Sequence, residues 1–457
     1  MLLLPETRPG CSTACLSRGR QGYPPRLTEP RQPDPGYKAR TIVRILFLAQ
    51  CYAPEEVSAA VLITELAADL ADRGHQVTVA TIAPNYPYGR VYAGYHNRLF
   101  QRETIDGVRV VRTWSYISPH KTFWRRLFLQ ATYCTTAVYG GLSAGRPDIL
   151  VSYSPPLPLG MTAWLLSRLW NVPWVLQLED LFPEAAVAAG YLRSQQAIHF
   201  FSQMAGFQYR RAAHITLIAE TFRQNLLARG VPDSKITLIP VWADPEFIRP
   251  LPKNNTFRLR EGLQDKFVVL YAGNLGATSC LEDALQAAVR LQADPELCFV
   301  FIGEGVKKAD LAAFAQQHNL QNVRFLPYQP RAAFAEVLAA ADINLVTLNP
   351  AAAQSSLPSK VFNSMASARP ILAIAPLDSE LSRLVSSARC GLCVAPGQPA
   401  ELAGQILYLK ERPEMGRTMG RRGRAFLEQY YARQQCVDRY EAMLVEQVRQ
   451  KTPLFSS

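Results

Sequence analysis

The chain has 457 residues, 48% of them hydrophobic, with 49 basic against 37 acidic side chains and a formal charge of +12 at neutral pH. That length allows two or three domains, and that apolar content excludes disorder for most of the chain. The charge favours an anionic partner, whether nucleic acid, a phosphorylated small molecule or an anionic membrane surface, without choosing among them.

Residues 1–40 are rich in Pro, Arg and Gly and show no hydrophobic period. They are expected to be disordered, or to lie upstream of the true start of the protein. The opening "MLLLP" is too short for a signal-peptide core, and no uninterrupted apolar run reaches the ~18 residues of a membrane span. Structure begins with the buried-strand run "TIVRILFLAQ" (41–50). An amphipathic helix to about Arg73, a stop at Gly74 and the strand "HQVTVATIAP" complete a βαβ unit. Strands "VRVVRTW", "DILVSYSP", "PWVLQLED" and "HITLIAE" follow, with helices expected at about 122–143, 158–170 and 196–212.

The proline-rich stretch "LIPVWADPEFIRPLPKNN" breaks this rhythm and reads as a linker, placed at 241–256. A second βα series starts at "FVVLYAGNLG" and continues through "CFVFIGEG", "VRFLPYQP", "INLVTLNP", "PILAIAP" and "GLCVAPG". The expected class is α/β, with two Rossmann-like domains (41–240 and 257–430) facing across a cleft, and a C-terminal helical segment, 431–457, placed to cross back onto the first domain. Nine scattered cysteines suggest a reducing compartment. The lone pair Cys390 and Cys393 has no second pair to complete a zinc site, so it reads as structural.

Ligands of such sheets bind beyond the carboxyl ends of the strands, so the loops there are the candidates for chemistry. "YAGNLGATS" carries Gly273, Asn274 and Gly276, either cradling a phosphate or simply making a tight turn. "FIGEGVKK" carries Gly303 and Lys307, a phosphate contact or a solvated lysine. "SSLPSKVFNSMAS" gathers Ser355, Ser356, Ser359, Lys360 and Asn363 where a helix begins near Pro358, which suits an anion or an ordinary capped helix equally. "LEDLFPE" brings Glu179, Asp180 and Glu184 together as base, metal ligand, hydroxyl acceptor or plain acidic surface. "SPHKTFWRRLFLQATYC" mixes Lys121, Arg125 and Arg126 with Phe123, Trp124, Phe128 and Tyr133, the composition of an interfacial helix or of a packed core.

Together, "YAPEEVSAA", "ELAADLADRGHQVTVATIAPNYPYG", "DLFPEAAVAAG", "YAGNLG", "FIGEGVKK", "LPSKVFNSMASARPILA" and "RCGLCVAPGQP" resemble the family 4 glycosyltransferases of GT-B fold, over residues 43–430. The branch resembled is the bacterial one of capsule, colanic-acid and O-antigen assembly. The resemblance implies a nucleotide-diphospho-sugar donor on the C-terminal domain, contacted by Gly273, Asn274, Gly276, Gly303, Lys307, Ser355, Ser356, Ser359 and Asn363. It implies a lipid-linked or polysaccharide acceptor on the N-terminal domain, near Tyr52, Glu55, Asn85 and Tyr86. Retention of configuration, no metal or other cofactor, no nucleic acid, and a cytoplasmic position at the inner face of a membrane complete the expectation.

In that reading Lys360, with the amides near Ser355 and Ser356, stabilises the leaving diphosphate. Asp180 matches the Asp of the branch's D-x-x-P segment and orients an acceptor or donor hydroxyl. The chain departs from the family pattern at Ser355 and Asn363, where many members carry glutamates, and at Ala277, Thr278 and Ser279, where a basic residue is common. Val241 stands where an asparagine is often found. Two other readings share the nucleotide site: a sugar epimerase of the UDP-N-acetylglucosamine 2-epimerase type, and a non-catalytic sugar-nucleotide-binding partner.

Overall fold

The computed structural model describes residues 41–120 and 123–451. The expectations for residues 1–40, for Lys121 and for the side chains of Phe123, Trp124 and Arg126 lie outside the described residues. The first sheet is built from β1 (Arg44–Leu48), β2 (Gln76–Ile82), β3 (Phe100–Ile105), β4 (Val108–Thr113), β5 (Ile149–Ser154), β6 (Trp174–Leu178), β7 (His214–Leu217) and β8 (Ile236–Leu238). Its order is β3-β4-β2-β1-β5-β6-β7-β8, parallel except where β3 runs against β4. The second sheet holds β9 (Phe267–Ala272), β10 (Leu297–Ile302), β11 (Val323–Leu326), β12 (Ile343–Thr347), β13 (Ile371–Ile374) and β14 (Gly391–Val394). It is parallel throughout, in the order β11-β10-β9-β12-β13-β14.

The inner strands read as unbroken apolar runs because helices cover both faces of a parallel sheet. Every residue of β5, β6, β10 and β12 is buried. Two strands escape the sequence reading. In β3 the polar sequence "FQRETI" is exposed or half-exposed throughout, as befits an edge. Its signal is the turn that follows, Asp106-Gly107, where both residues take positive φ as a two-residue hairpin requires. The other, β8, is three half-buried residues at the opposite edge, just before the expected linker.

The chain crosses between domains twice, and both crossings are packed. In the first, Val241 and Trp242 are buried, and the Trp242 indole donates to Glu65 at 3.0 Å. In the second, the helix Pro413–Tyr430 lies on the C-terminal domain, and the helix Arg433–Lys451 returns to the N-terminal one. A β-carbon on Gly420 would sit 2.0 Å from the Ala368 carbonyl oxygen, so only glycine allows the first of these helices to seat. At the junction Arg433 pairs with Asp69 at 2.8 Å and Asp244 at 2.9 Å. Further along, Arg73 and His75 both hold Glu441.

Beneath the second sheet Arg258 is fully buried, reaching Asp342 at 2.5 Å and the carbonyls of Ala340, Leu263 and Lys266. Removing one partner of a buried pair leaves the other charge and several acceptors unmatched. Arg258→Met is expected to cost about 3–5 kcal/mol in urea unfolding. A loss below about 1 kcal/mol would show that the pair is dispensable.

Candidate active site

The strand ends of β9 and β10 each close on a glycine with strongly positive φ, +140° at Gly273 and +141° at Gly303. The two turns meet backbone to backbone. A β-carbon on Gly303 would lie 2.0 Å from the Gly273 carbonyl oxygen, and one on Gly305 would lie 2.2 Å from that of Leu275. The Leu275 amide donates to the Glu304 carbonyl at 2.9 Å, stitching the turns together. Asn274 is exposed at the tip, and its side chain lies against Gly276 and Gly305.

Lys360 runs through the space that Gly273 leaves. A β-carbon on Gly273 would fall 2.1 Å from the Lys360 Cε. The Lys360 ammonium lies 5.2 Å from the centre of the Tyr271 ring, within cation–π range. Burial pulls the Lys360 ammonium down to about 8. Lys307 is differently engaged. Its ammonium is held by the Ser279 carbonyl at 2.7 Å and by Glu282 at 2.7 Å, which ties the first glycine turn to the second.

The segment before Lys360 differs from expectation in one respect. The amides of Ser355 and Ser356 both donate to the Ala352 carbonyl, at 3.1 and 3.0 Å, in a turn of 3-10 geometry. They are therefore spent on the fold and do not face an anion. The amides of Leu357, Ser359 and Lys360 have no main-chain acceptor among the described residues, the last two where the helix Lys360–Ala366 begins. Ser355 is 2% exposed, and its hydroxyl has no hydrogen-bond partner among the described residues. Asn363 is half-buried on the same helix, one turn beyond Ser359.

Across the cleft, the end of β6 carries Glu179 and Asp180. Asp180 is hydrogen-bonded by Ser356, which lowers its pKa, but burial is the larger effect and pushes the carboxyl up to about 6. Next to it the Leu181 amide donates to the Ser355 carbonyl at 3.2 Å. Glu179 accepts from the Gln177 amide at 2.8 Å, and burial, reinforced by Asp180, pushes it up to about 7. Glu184, the third acid of that loop, turns away to pair with Arg229.

The loops after β1 and β2 are organised by Glu55, which is 4% exposed. One carboxylate oxygen accepts from the Asn85 and Tyr86 amides, each at 2.7 Å, and the other from the Tyr52 amide at 3.2 Å. Tyr52 is fully buried, and the Asn85 side chain donates to the Ala83 carbonyl at 2.9 Å. Of these four, only Tyr86 is exposed, and it influences Tyr328 of the other domain electrostatically.

Three connections across the cleft had no sequence signal. Ser58 donates to Ser359 at 3.0 Å, and Arg331 pairs with Glu65 at 2.9 Å. Glu380 of the C-terminal domain accepts from the amides of Glu220 and Thr221, each at 2.9 Å, at the start of an N-terminal-domain helix. A carboxylate there satisfies orphan donors and suits the helix dipole. No group of three or more His, Cys, Asp or Glu among the described residues is arranged to hold a metal.

Two open α/β sheets with a cation, glycine turns and carboxyls gathered at their facing strand ends are the architecture of a GT-B glycosyltransferase. Residues 59–242 match the family described as a glycosyl transferase 4-like domain, and residues 254–426 match glycosyl transferases group 1. The chain belongs to the family 4 glycosyltransferases. It is 27% identical over 306 residues to WcaI of Escherichia coli K12, named a putative colanic acid biosynthesis glycosyl transferase, covering 65% of this chain and 74% of that protein. It is 29% identical over 192 residues to WbjE of Pseudomonas aeruginosa, a probable glycosyltransferase, covering 41% of this chain and 48% of that one. Among solved structures, sucrose-phosphate synthase of Thermosynechococcus elongatus superposes with a TM-score of 0.70 at 17% identity, covering 89% of this chain and 99% of that one. Anabaena HepE in complex with UDP-glucose gives 0.66 at 16% identity, covering 88% and 100%. At such identities these two show the fold.

Glu179 yields a pH prediction. An unfolded glutamate titrates near 4.3, whereas the folded group titrates near 7, so the folded state holds its proton longer. Its contribution to stability is present below the unfolded value and is lost as pH rises through about 7. Glu179→Gln, which never ionises, should therefore raise Tm more at pH 8 than at pH 5, measured by thermal scans. An equal change at both pH values would refute the shift.

Proposed function

We propose that this chain transfers a hexosyl group from a nucleotide-diphospho-sugar, with retention of configuration and without a metal, to a lipid-linked or polysaccharide acceptor in cell-surface glycan synthesis. The observation that carries this reading is Lys360, threaded past Gly273 to the mouth of the cleft and partly desolvated there. A cation with a pKa near 8 gains a full charge and a partner when a diphosphate arrives. The match to WcaI supports the glycan class, and HepE, solved with UDP-glucose, supports the donor class.

In the reaction the bond between the anomeric carbon and the diphosphate oxygen breaks while the acceptor oxygen bonds to that carbon on the same face. The acceptor proton passes to the departing diphosphate oxygen, so no protein base is required. Lys360 and the amides of Ser359 and Lys360 neutralise the charge that develops on the leaving group. The turns that Gly273, Gly276 and Gly303 permit form the wall against which the donor lies. Asn363 accepts from a ribose hydroxyl through its amide oxygen, an uncharged and weaker bond than a glutamate would form. Asp180, beside Ser356, orients a sugar hydroxyl.

A position at the inner face of the cell membrane is part of the proposal. Phe128, Tyr139 and Leu142 stand exposed on the helix Phe123–Ala144, and Leu165 and Leu169 stand exposed on the helix packed beside it. An apolar face of that kind suits an interfacial contact. No described helix is long and apolar enough to cross a membrane.

The test is a screen of labelled UDP- and GDP-sugars with purified protein and a membrane lipid extract. One donor should give a labelled lipid product. Lys360→Ala should lower turnover on the order of 10²–10³-fold with the fold retained by circular dichroism. Near-normal turnover would remove Lys360 from the mechanism. An epimerised sugar formed without acceptor would replace the transfer reading.

A further inference from the structure

Beyond the cleft, the loop after β2 forms an open cup with about 640 Å³ of space, lined by Tyr88, Arg90, Val91, Tyr92, Ala93 and Pro119. The cup is held in shape by the backbone. The Gly89 amide donates to the Asn85 carbonyl at 2.7 Å, and the Tyr92 amide donates to the Pro84 carbonyl at 3.0 Å. Gly89 has φ +64°, and a β-carbon there would lie 2.2 Å from the Ser118 carbonyl oxygen. Glycine therefore lets the loop close against the wall that Pro119 continues. The Tyr92 hydroxyl donates to the Tyr86 carbonyl at 2.5 Å, so the cup is joined to the residue that stands at the cleft.

The chemistry of the lining is selective. Tyr88 is 60% exposed, which offers an open aromatic face. Arg90 is exposed and has no carboxylate partner among the described residues, and no carboxylate lines the cup. The acids that act on the loop electrostatically, Glu55 and Glu56, raise the Tyr92 phenol after burial has done so, and Glu55 is already satisfied by three amides. A concave surface with aromatic faces and one unmatched guanidinium suits a ligand with a flat apolar face and a negative group.

We propose that this cup binds an anionic saccharide, its ring laid on the tyrosines and its phosphate or carboxylate held by Arg90. That the saccharide is the acceptor of transfer rests on the reading above, whereas the binding itself does not. Both anion sources share the same recognition: a planar guanidinium meets two oxygens of a phosphate or a carboxylate equally well.

The experiment uses the full chain, without donor, in saturation-transfer NMR titrations with glucose, glucose 1-phosphate and glucuronic acid. At least one charged sugar should bind about tenfold more tightly than glucose. Preference for the phosphate points to a phosphorylated carrier, and preference for the carboxylate points to a uronic acid. Arg90→Gln should abolish the preference, and Tyr88→Ala should weaken all three sugars. Both residues are exposed, so the fold is not at stake. The titrations are repeated with saturating UDP, which occupies the donor site, and the Arg90-dependent preference should persist there, which separates the cup from the donor site. Equal binding of charged and neutral sugars, or, with UDP present, a preference that survives in Arg90→Gln or is lost from the unaltered chain, would each overturn the proposal. Because no turnover is measured, a failed donor screen and a failed cup give different results.

Discussion

The cleft depends on one steric constraint: the stem of Lys360 occupies the volume that a β-carbon on residue 273 would take. The same economy of side chains recurs at Gly303 and Gly305, whose bare backbones lie against the neighbouring turn. Two strand ends are thereby locked in contact, and the lysine stem lies against the first of them. Lys307 adds a tie by bridging the Ser279 carbonyl and Glu282. The result is a cation held in position before any ligand arrives. Preorganised charge of that kind reorganises little when negative charge develops nearby.

The second constraint is closure. Ser356 meets Asp180, the Ser355 carbonyl meets the Leu181 amide, Ser359 meets Ser58, and Glu380 caps a helix of the opposite domain. Each such bond contributes only about 1 kcal/mol net. They share a geometry, however: all lie on loops or helix starts that the two domains present to each other. The loop that brings Lys360 is therefore the loop that touches the facing carboxyl. The contacts that join the two domains and the groups that carry charge therefore share one loop. Arg433 and Trp242 hold the two crossings of the chain from behind, through Asp69, Asp244 and Glu65.

Much of this was legible in the sequence. Buried parallel strands announce themselves as apolar runs, as β9, β10, β12 and β13 do, and the half-buried edges β11 and β14 were readable from their place in the βα series. The strands that were not, β3 and β8, are sheet edges, where half the surface faces water and the pattern dissolves. At the site, sequence placed Gly273 and Asp180 in loops at the strand ends and Lys360 at the helix start that follows another strand, because βα order puts them there. It did not separate residues that face the cleft from residues that build it. Glu55 and Asn85 look like binding residues in a loop, yet Glu55 is enclosed by three amides and Asn85 is turned to a carbonyl. The amides of Ser355 and Ser356 likewise look free until the turn at Ala352 claims them. Those are outcomes of hydrogen-bond partnering between distant segments, which no local pattern encodes.

The last helix shows how far such partnering reaches. Tyr440 inserts its hydroxyl beneath the first sheet, where it and the Thr216 hydroxyl both donate to the Gln177 side-chain carbonyl. Two donors on that oxygen fix which way the amide points, so its NH₂ must face Glu179. The carboxyl of Glu179 is thereby held beside Asp180 in a place where burial favours its neutral form. Were both acids ionised, their repulsion and desolvation would fall on the loop that meets Ser356. With Glu179 pushed up to about 7 and Asp180 to about 6, Asp180 is the first of the two to carry charge as pH rises. Tyr440 thus bears on Asp180 through the side chains of Gln177 and Glu179, which ties the return of the chain to the first domain to the chemistry at the mouth of the cleft.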